Sequence, residues 1–320
     1  MELSKLFETA LARRSHPLRE KECLRIFDGA GDCYRGLVID KLKDVAIVHG
    51  YAEEINHSFV KENVAPLLKS LVSTVYLWQR SRDNDSRTRE AELVSGDPQP
   101  EFVAEVGGMK LLLRPERLPQ AGVFLDSSSI REFLVSRQFK GRVINTFAYT
   151  GSLGLVAYLA GAKEVIQVDS SSAILSWARE NYELNIKPDG GMMRFIEDDV
   201  LDFLEKESRR IGGGKKEPCD LVLLDPPTIG RSERGLFKVH HDLPNLIETA
   251  GKCISRGGCL IVSLNAPDIS TDDIEILAEK VLGHSGRDFK MLHKLSPDPI
   301  EYPTHDIESS VMRGLILQLL

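Results

Sequence analysis

The rhythm of apolar and polar positions changes near residue 141. Before that point, residues 21–117 read mainly as short strands and turns. Residues 24–27 and 37–48 are apolar and β-prone, and the turn chemistry of Asp28-Gly29 and Gly31-Asp32 separates them. Residues 57–72 have helical spacing, and 102–106 with 110–113 around Gly107-Gly108 have the pattern of a hairpin. From residue 141 onward, short apolar runs at 143–145, 165–168, 221–224 and 260–264 alternate with helical stretches at 153–160, 173–185 and 243–254, the last stopped by Gly257-Gly258. Such runs suit parallel strands covered on both faces. The chain ends in two strand-like segments, 289–295 and 314–320, with no room for a good helix between them. The pattern predicts an α/β fold in which a small α+β domain, residues 1–100, precedes a hairpin linker and a doubly wound sheet with an antiparallel edge, residues 101–320.

Composition narrows this reading. With 320 residues, 42% of them hydrophobic, the chain has room for one large and one small folded domain. The N-terminus lacks a signal pattern, and no apolar run approaches the roughly 20 residues of a membrane-spanning helix, so a soluble cytoplasmic protein is expected. The five cysteines, Cys23, Cys33, Cys219, Cys253 and Cys259, are odd in number and form no C-x-x-C pair. Neither a disulfide framework nor a metal site is expected. At a net charge of -7, nucleic-acid binding would have to come from a local patch.

In an open α/β sheet the ligand sits outside the carboxyl ends of the strands, so the residues after each apolar run carry the chemistry. The first run leads into Asn145-Thr146-Phe147-Ala148-Tyr149-Thr150-Gly151-Ser152-Leu153-Gly154, where Gly151 and Gly154 permit a tight turn and close ligand approach. The spacing G-x-G-x-x-G is absent, and with it the main reason to expect a pyrophosphate cradle. The second run ends at Asp169, where an acid commonly accepts ribose hydroxyls; Ser170 to Ser172 offer a helix N-cap, and a capping role for the acid is the bland alternative. Glu197-Asp198-Asp199 precedes a helix near Leu201, and one of these acids either accepts from an adenine amino group or simply starts the helix. Leu221-Val222-Leu223-Leu224-Asp225-Pro226-Pro227-Thr228 is the most specific signal, because two prolines hold Asp225 and its neighbours rigid at the ligand edge.

The run 143–154, Asp169, the acids near 199 and Asp225-Pro226-Pro227 resemble the motifs of class I S-adenosylmethionine-dependent methyltransferases. More narrowly, Gly122-Val123-Phe124-Leu125-Asp126 with Arg131, V-I-N-T-F-A-Y-T-G, L-D-P-P-T and residues 299–308 are similar to bacterial large-subunit ribosomal RNA methyltransferases of the cytosine-C5 and guanine-N7 types. Residues 24–32 and 36–40 resemble the small domain before their catalytic domain, so the likeness runs from about residue 21 to the end. It implies a Rossmann-like methyltransferase sheet with an antiparallel last strand, S-adenosyl-L-methionine as cofactor and RNA as partner. It further implies that Phe124, Asp126, Phe147, Tyr149 and Gly151 surround the methionine part of the cofactor, with Asp169 at the ribose, Asp199 at the adenine and Asp225 between cofactor and base. Asn145, Thr150 and Ser170 fall in the same cofactor-binding set, and Asp225, Pro226, Pro227 and Asn265 in the catalytic one. Three departures stand out: the PUA domain that opens many members has no counterpart, Ser127 and Ser128 replace an expected glutamine and arginine, and Gln120 replaces a lysine.

Cytosine C5 is a poor nucleophile, and C5 enzymes first add a cysteine thiolate to C6. In the C5 relatives that cysteine follows the fifth strand, where this chain has Leu264 or Asn265. Cys219 and Cys259 fall at the amino ends of their strands, Cys253 falls in a helix, and Cys23 and Cys33 fall in the small domain, so covalent chemistry is disfavoured. A nitrogen lone pair attacks the sulfonium methyl directly once aligned. The L-D-P-P-T and S-L-N sequences resemble the guanine-N7 relatives more; Asn265 either donates to guanine O6 or is a turn residue before Pro267. RNA contact rests on the resemblance, with Arg80, Arg82, Arg87 and Arg89 as phosphate ligands or a solvated loop, Tyr76 and Trp78 as stacking partners, and His305 on the family pattern alone. The expectation is methylation of an RNA base, in large-subunit ribosomal RNA, at a nitrogen such as guanine N7, by a monomer or homodimer without metal or membrane. Its rivals are a cytosine-C5 enzyme with another nucleophile, a small-molecule methyltransferase, and a non-catalytic RNA-binding assembly factor.

Overall fold

A computed structural model describes residues 2–79, 91–187, 191–232, 235–303 and 312–320. The chain divides into two compact units, Met1–Asp126 with Asp298–Ser309, and Ser127–Pro297 with Ser310–Leu320. The division falls after Asp126 rather than at residue 100. The hairpin at 102–113 goes with the first unit because the Glu22 carboxylate accepts the Glu105 backbone N–H at 2.7 Å and Lys43 donates to the Val103 carbonyl at 3.2 Å.

In the first unit, α1 (Leu3–Arg13) and α2 (Pro17–Glu20) precede β1 (Cys23–Asp28), β2 (Leu37–Leu42), β3 (Val45–Gly50), β4 (Thr74–Gln79) and β5 (Glu92–Ser95), which lie side by side in chain order. All pairs are antiparallel except β3 with β4. The apolar run 37–48 is two strands, turned at Lys43-Asp44 with Lys43 at φ 56°. The crossover to β4 is α3 (His57–Phe59), one π turn at Val60–Val64 and α4 (Ala65–Leu68). Pro66 has no N–H to give, which breaks the single helix expected over 57–72. The hairpin β6 (Phe102–Val106) and β7 (Met109–Leu113) forms as the pattern predicts. Helix α1 has no counterpart in the strand-and-turn reading, yet Leu6, Phe7 and Ala10 make the i, i+1, i+4 face that it buries, with Phe7 stacked on Phe27.

Tyr76 and Trp78 are corrected by the structure. Both are buried in β4, with the Tyr76 hydroxyl on Glu116 at 2.8 Å and the Trp78 indole N–H on the Pro115 carbonyl at 2.9 Å, so neither offers a face to a base. Arg80, Arg82, Arg87, Arg89 and His305 lie outside the described residues.

Charged side chains hold the first unit together internally. Arg14, fully buried, donates to both carboxylate oxygens of Asp32 and to the carbonyl of Glu301. Arg25 lies with its guanidinium 4.5 Å from the Tyr302 ring centre and pairs with Asp40 at 2.9 Å, which also meets His49 at 3.1 Å. Burial by itself would raise the Asp40 pKa, but the Arg25 charge and the His49 hydrogen bond outweigh it and hold the carboxyl far below the usual range.

The second unit holds α5 (Ser128–Arg137), α6 (Ser152–Leu159), α7 (Ser172–Glu183), α8 (Val200–Gly212), α9 (Val239–Cys253) and α10 (Thr271–His284) around a seven-stranded sheet. Its strands are β8 (Arg142–Thr146), β9 (Glu164–Asp169), β10 (Met192–Glu197), β11 (Cys219–Leu224), β14 (Ile254–Leu264), β15 (Phe289–Leu295) and β16 (Arg313–Leu319), in the order β10-β9-β8-β11-β14-β16-β15. Strand β16 runs antiparallel to β14 and β15. A small hairpin, β12 (Ile229–Ser232) with β13 (Gly235–Lys238), follows β11. Strand β10 eluded the search for apolar runs because an edge strand is half exposed. The Ser270/Asp273 capping box announces α10 in the sequence. The order in which strands are added reverses at β8, with β9 on one side and β11 on the other, all parallel, which opens a crevice at the carboxyl edge. Among the described residues no helix is long and apolar enough to cross a membrane.

A carboxyl with a depressed pKa stabilises the fold above its ordinary value near 4, and this stabilisation is lost as the pH falls below it. The urea midpoint of the wild type should therefore drop on acidification from about pH 6 to about pH 3, while Asp40→Asn, less stable at neutral pH, gives a flatter profile.

Candidate cofactor and acceptor site

Strand register places Asp169, Phe147, Asp225 and Ser263 in one row across the carboxyl edge, each one residue beyond the last pairs that join β9 to β8, β8 to β11 and β11 to β14, namely Val168 with Thr146, Thr146 with Leu224 and Leu224 with Val262. The turn after β8 is strained: Phe147 and Tyr149 have φ of 50° and 52°, and Gly151 has 82°. The left-handed region costs a residue with a Cβ roughly 1–3 kcal/mol, so surrounding bonds must hold the turn. Asp169 supplies one, its Oδ2 accepting the Tyr149 N–H at 3.0 Å while Oδ1 accepts the Ser171 N–H at 3.0 Å. Burial raises the Asp169 pKa, and these backbone donors offset part of the rise. The helix N-cap itself is Ser171, whose hydroxyl accepts from Ile174 N–H.

Gln167, fully buried in β9, supplies the second clamp. Its Oε1 accepts from Asn145 Nδ2 at 2.7 Å, and its Nε2 donates to the Gly151 carbonyl at 3.0 Å. A Cβ on Gly154 would stand 2.4 Å from Nε2, so residue 154 admits no side chain while Gln167 lies there. Asn145 is thus buried beneath the turn, and Thr150, also buried, gives its carbonyl to Asn181 Nδ2 at 2.9 Å. Gln167 was missed in the sequence, where it is the one polar residue inside the apolar run Val165 to Val168.

Beside the turn is a pocket of about 260 Å³ that brings together Phe147, Ser170, Asp199 and Pro227 from the expected residues. Val200, Leu201, Leu246 and Phe237 add apolar wall, with the Phe237 ring 5.6 Å from that of Phe147. Of the three acids at 197–199, Asp199 reaches the pocket while Oδ1 caps α8 through the Leu201 and Asp202 N–H groups, at 2.9 and 3.1 Å. Asp198 pairs with Lys206 instead, at 2.8 Å. Apolar walls with a carboxylate acceptor suit a flat heterocycle that carries an amino group.

On the far side of the Pro226-Pro227 turn, the Ser263 hydroxyl donates to Asp225 Oδ1 at 2.5 Å and Thr228 Oγ1 donates to the Asn265 carbonyl at 2.9 Å. Asp225 is half-buried and Asn265 exposed, so this edge opens to a large acceptor. The thiols stand elsewhere. Burial pushes Cys219 and Cys253 up to about 12, and raises Cys259 as well. Cys219 and Cys259 pair away from the carboxyl edge, at the Leu221 end of β11. Phe124 and Asp126 belong to the first unit. Among the described residues no group of His, Cys, Asp or Glu is arranged to hold a metal ion.

A doubly wound sheet with this strand order, a strained turn after its first strand and an acid at the end of the next defines an α/β enzyme that binds a nucleoside-bearing cofactor at the switch point. The chain belongs to the S-adenosylmethionine-dependent methyltransferases, whose family model matches residues 24–317. It is 28% identical to ribosomal RNA large subunit methyltransferase I of Aeromonas salmonicida over 92% of this chain and 74% of that one. It is 29% identical to ribosomal RNA large subunit methyltransferase K/L of Shewanella oneidensis over 77% of this chain, and the match spans about a third (34%) of that longer protein. Among solved structures, an S-adenosylmethionine-dependent methyltransferase from Streptococcus mutans superposes with a TM-score of 0.81 at 20% identity, covering 98% of this chain and 80% of its own. A protein described as a methyltransferase, in complex with SAH, gives 0.84 at 20% identity, covering the same shares of each chain, which supports the fold. The cofactor is S-adenosylmethionine.

Gln167→Leu leaves the Asn145 amide and the Gly151 carbonyl without their partner, a loss of about 1–3 kcal/mol in turn geometry. Calorimetry should show SAH affinity falling by about tenfold while far-ultraviolet dichroism stays that of the wild type.

Proposed function

We propose that this chain transfers the methyl group of S-adenosylmethionine to a nitrogen of a base in large-subunit ribosomal RNA, with guanine N7 as the acceptor. The observation that carries the choice of a nitrogen is the carboxyl edge itself, where Asp225, Ser263, Thr228 and Asn265 meet and no thiol lies. The Cys219 and Cys253 thiols, pushed up to about 12 by burial, do not add to a cytosine ring at neutral pH. The printed names of the two relatives support ribosomal RNA as the substrate.

In this reading Phe147, Tyr149 and Gly151 lie at the methionine part of the cofactor, Asp169 takes the ribose and Asp199 the adenine amino group. The Asp169 carboxylate already accepts two backbone donors, at 3.0 Å each, and retains lone pairs for a ribose hydroxyl. Asp225, fixed by Ser263 and the two prolines, sets the acceptor base, and the Asn265 amide donates to guanine O6. The N7 lone pair displaces SAH from the methyl carbon, and no proton has to leave, so positioning supplies the rate. The net charge of -7 favours a small-molecule acceptor instead, and the same assay separates the two.

The test is methyl transfer from labelled cofactor to large-subunit ribosomal RNA from cells lacking this protein, followed by digestion to nucleosides and mass spectrometry. The expected product is 7-methylguanosine; 5-methylcytidine, or label in small molecules alone, overturns the reading. Asp225→Ala should cut the rate by about 100-fold while SAH affinity stays within a few-fold of the wild type.

A further inference from the structure

The β12–β13 hairpin leaves the Pro226-Pro227 turn only two residues after Pro227, and its two faces differ. Directly opposed residues in an antiparallel pair point to the same side. Gly230 opposes Phe237, and both line the cofactor pocket. A Cβ on Gly230 would stand 3.2 Å from the Pro227 ring, which lets this face close down on the turn. The other face carries Ile229 opposite Lys238 and, one diagonal step away, Leu236, which also borders the pocket at its rim. Ile229 is 64% exposed and Leu236 55%, two large aliphatic side chains side by side in water. The other strongly exposed apolar residues of the second unit, such as Met192 on edge strand β10 and Ile276 on α10, lie away from the β11 turn.

A base that reacts with a bound cofactor must leave its stack, and apolar side chains such as Ile and Leu are suited to fill the gap it leaves. We propose that Ile229 and Leu236 form a wedge that enters the base stack of the RNA substrate and takes the place of the target base when that base moves to Asp225. The proposal rests on the reading of an RNA base as acceptor and extends it to how the base is extracted. Two observations support it: the wedge begins four residues after Asp225, and the pocket face of the same hairpin is continuous with the cofactor site. Lys238, exposed on the wedge face, supplies a cation for the neighbouring phosphate.

The test compares Ile229→Ser, which lies outside the pocket lining, against the wild type on two RNAs. One carries the target base in a paired or stacked helix, and the other presents it opposite an abasic site, already unstacked. The variant should lose about tenfold or more in kcat/KM on the stacked RNA and less than about threefold on the unstacked one, with SAH affinity unchanged. Ile229 is exposed, so the melting temperature should match that of the wild type. Equal losses on the two RNAs, or no loss on either, overturn the wedge. A change in sedimentation between variant and wild type assigns the pair to a contact between copies and also overturns it. If the wild type methylates neither RNA, the acceptor reading itself fails and the wedge with it.

Discussion

Three left-handed residues within five, Phe147, Tyr149 and Gly151, bend the chain where β8 leaves the sheet, and two side chains from β9, one buried and one half-buried, keep them bent. Asp169 holds the Tyr149 amide and Gln167 holds the Gly151 carbonyl. The strain is stored at the carboxyl edge of the sheet, and the rest of the molecule has to over-determine it. Parallel pairing of β8 with both β9 and β11 does so, because it fixes the height at which each strand ends and therefore which residues form the row across the edge.

The same register explains why the acids divide their work. Asp169 has both oxygens engaged by backbone donors, so it serves the turn first and a ligand with what remains. Asp199 caps α8 and still reaches the pocket. Asp225 accepts a hydrogen bond from the Ser263 hydroxyl and is half-buried. Three half-buried carboxylates are thus distributed along one edge at three strand ends.

The first unit is held by a different economy. Its buried charges, Arg14 with Asp32 and Arg25 with Asp40 and His49, are satisfied among themselves and tie the returning residues Glu301 and Tyr302 to a sheet made from the N-terminal hundred residues. Buried ion pairs contribute little net stability but punish the loss of either partner, so they specify where that late segment goes.

The sequence by itself determined the sheet type, the antiparallel ending and most of the edge residues, because period, turn chemistry and the Asp-Pro-Pro signal are local properties that backbone sterics enforce. It pointed to Asp199 without separating a cap from an acceptor, and the fold shows one carboxylate doing the first from a position that permits the second. What only the tertiary structure decided are the long-range contacts: Gln167 beneath Gly151, Ser263 against Asp225, Tyr76 and Trp78 turned into a core, and the pairing of residues 298–303 with a sheet nearly 300 positions earlier. The reason is the same in each case. A polar side chain in an apolar strand, or an aromatic one beside a basic run, has its partner chosen by burial and register, and neither exists until the strands have paired.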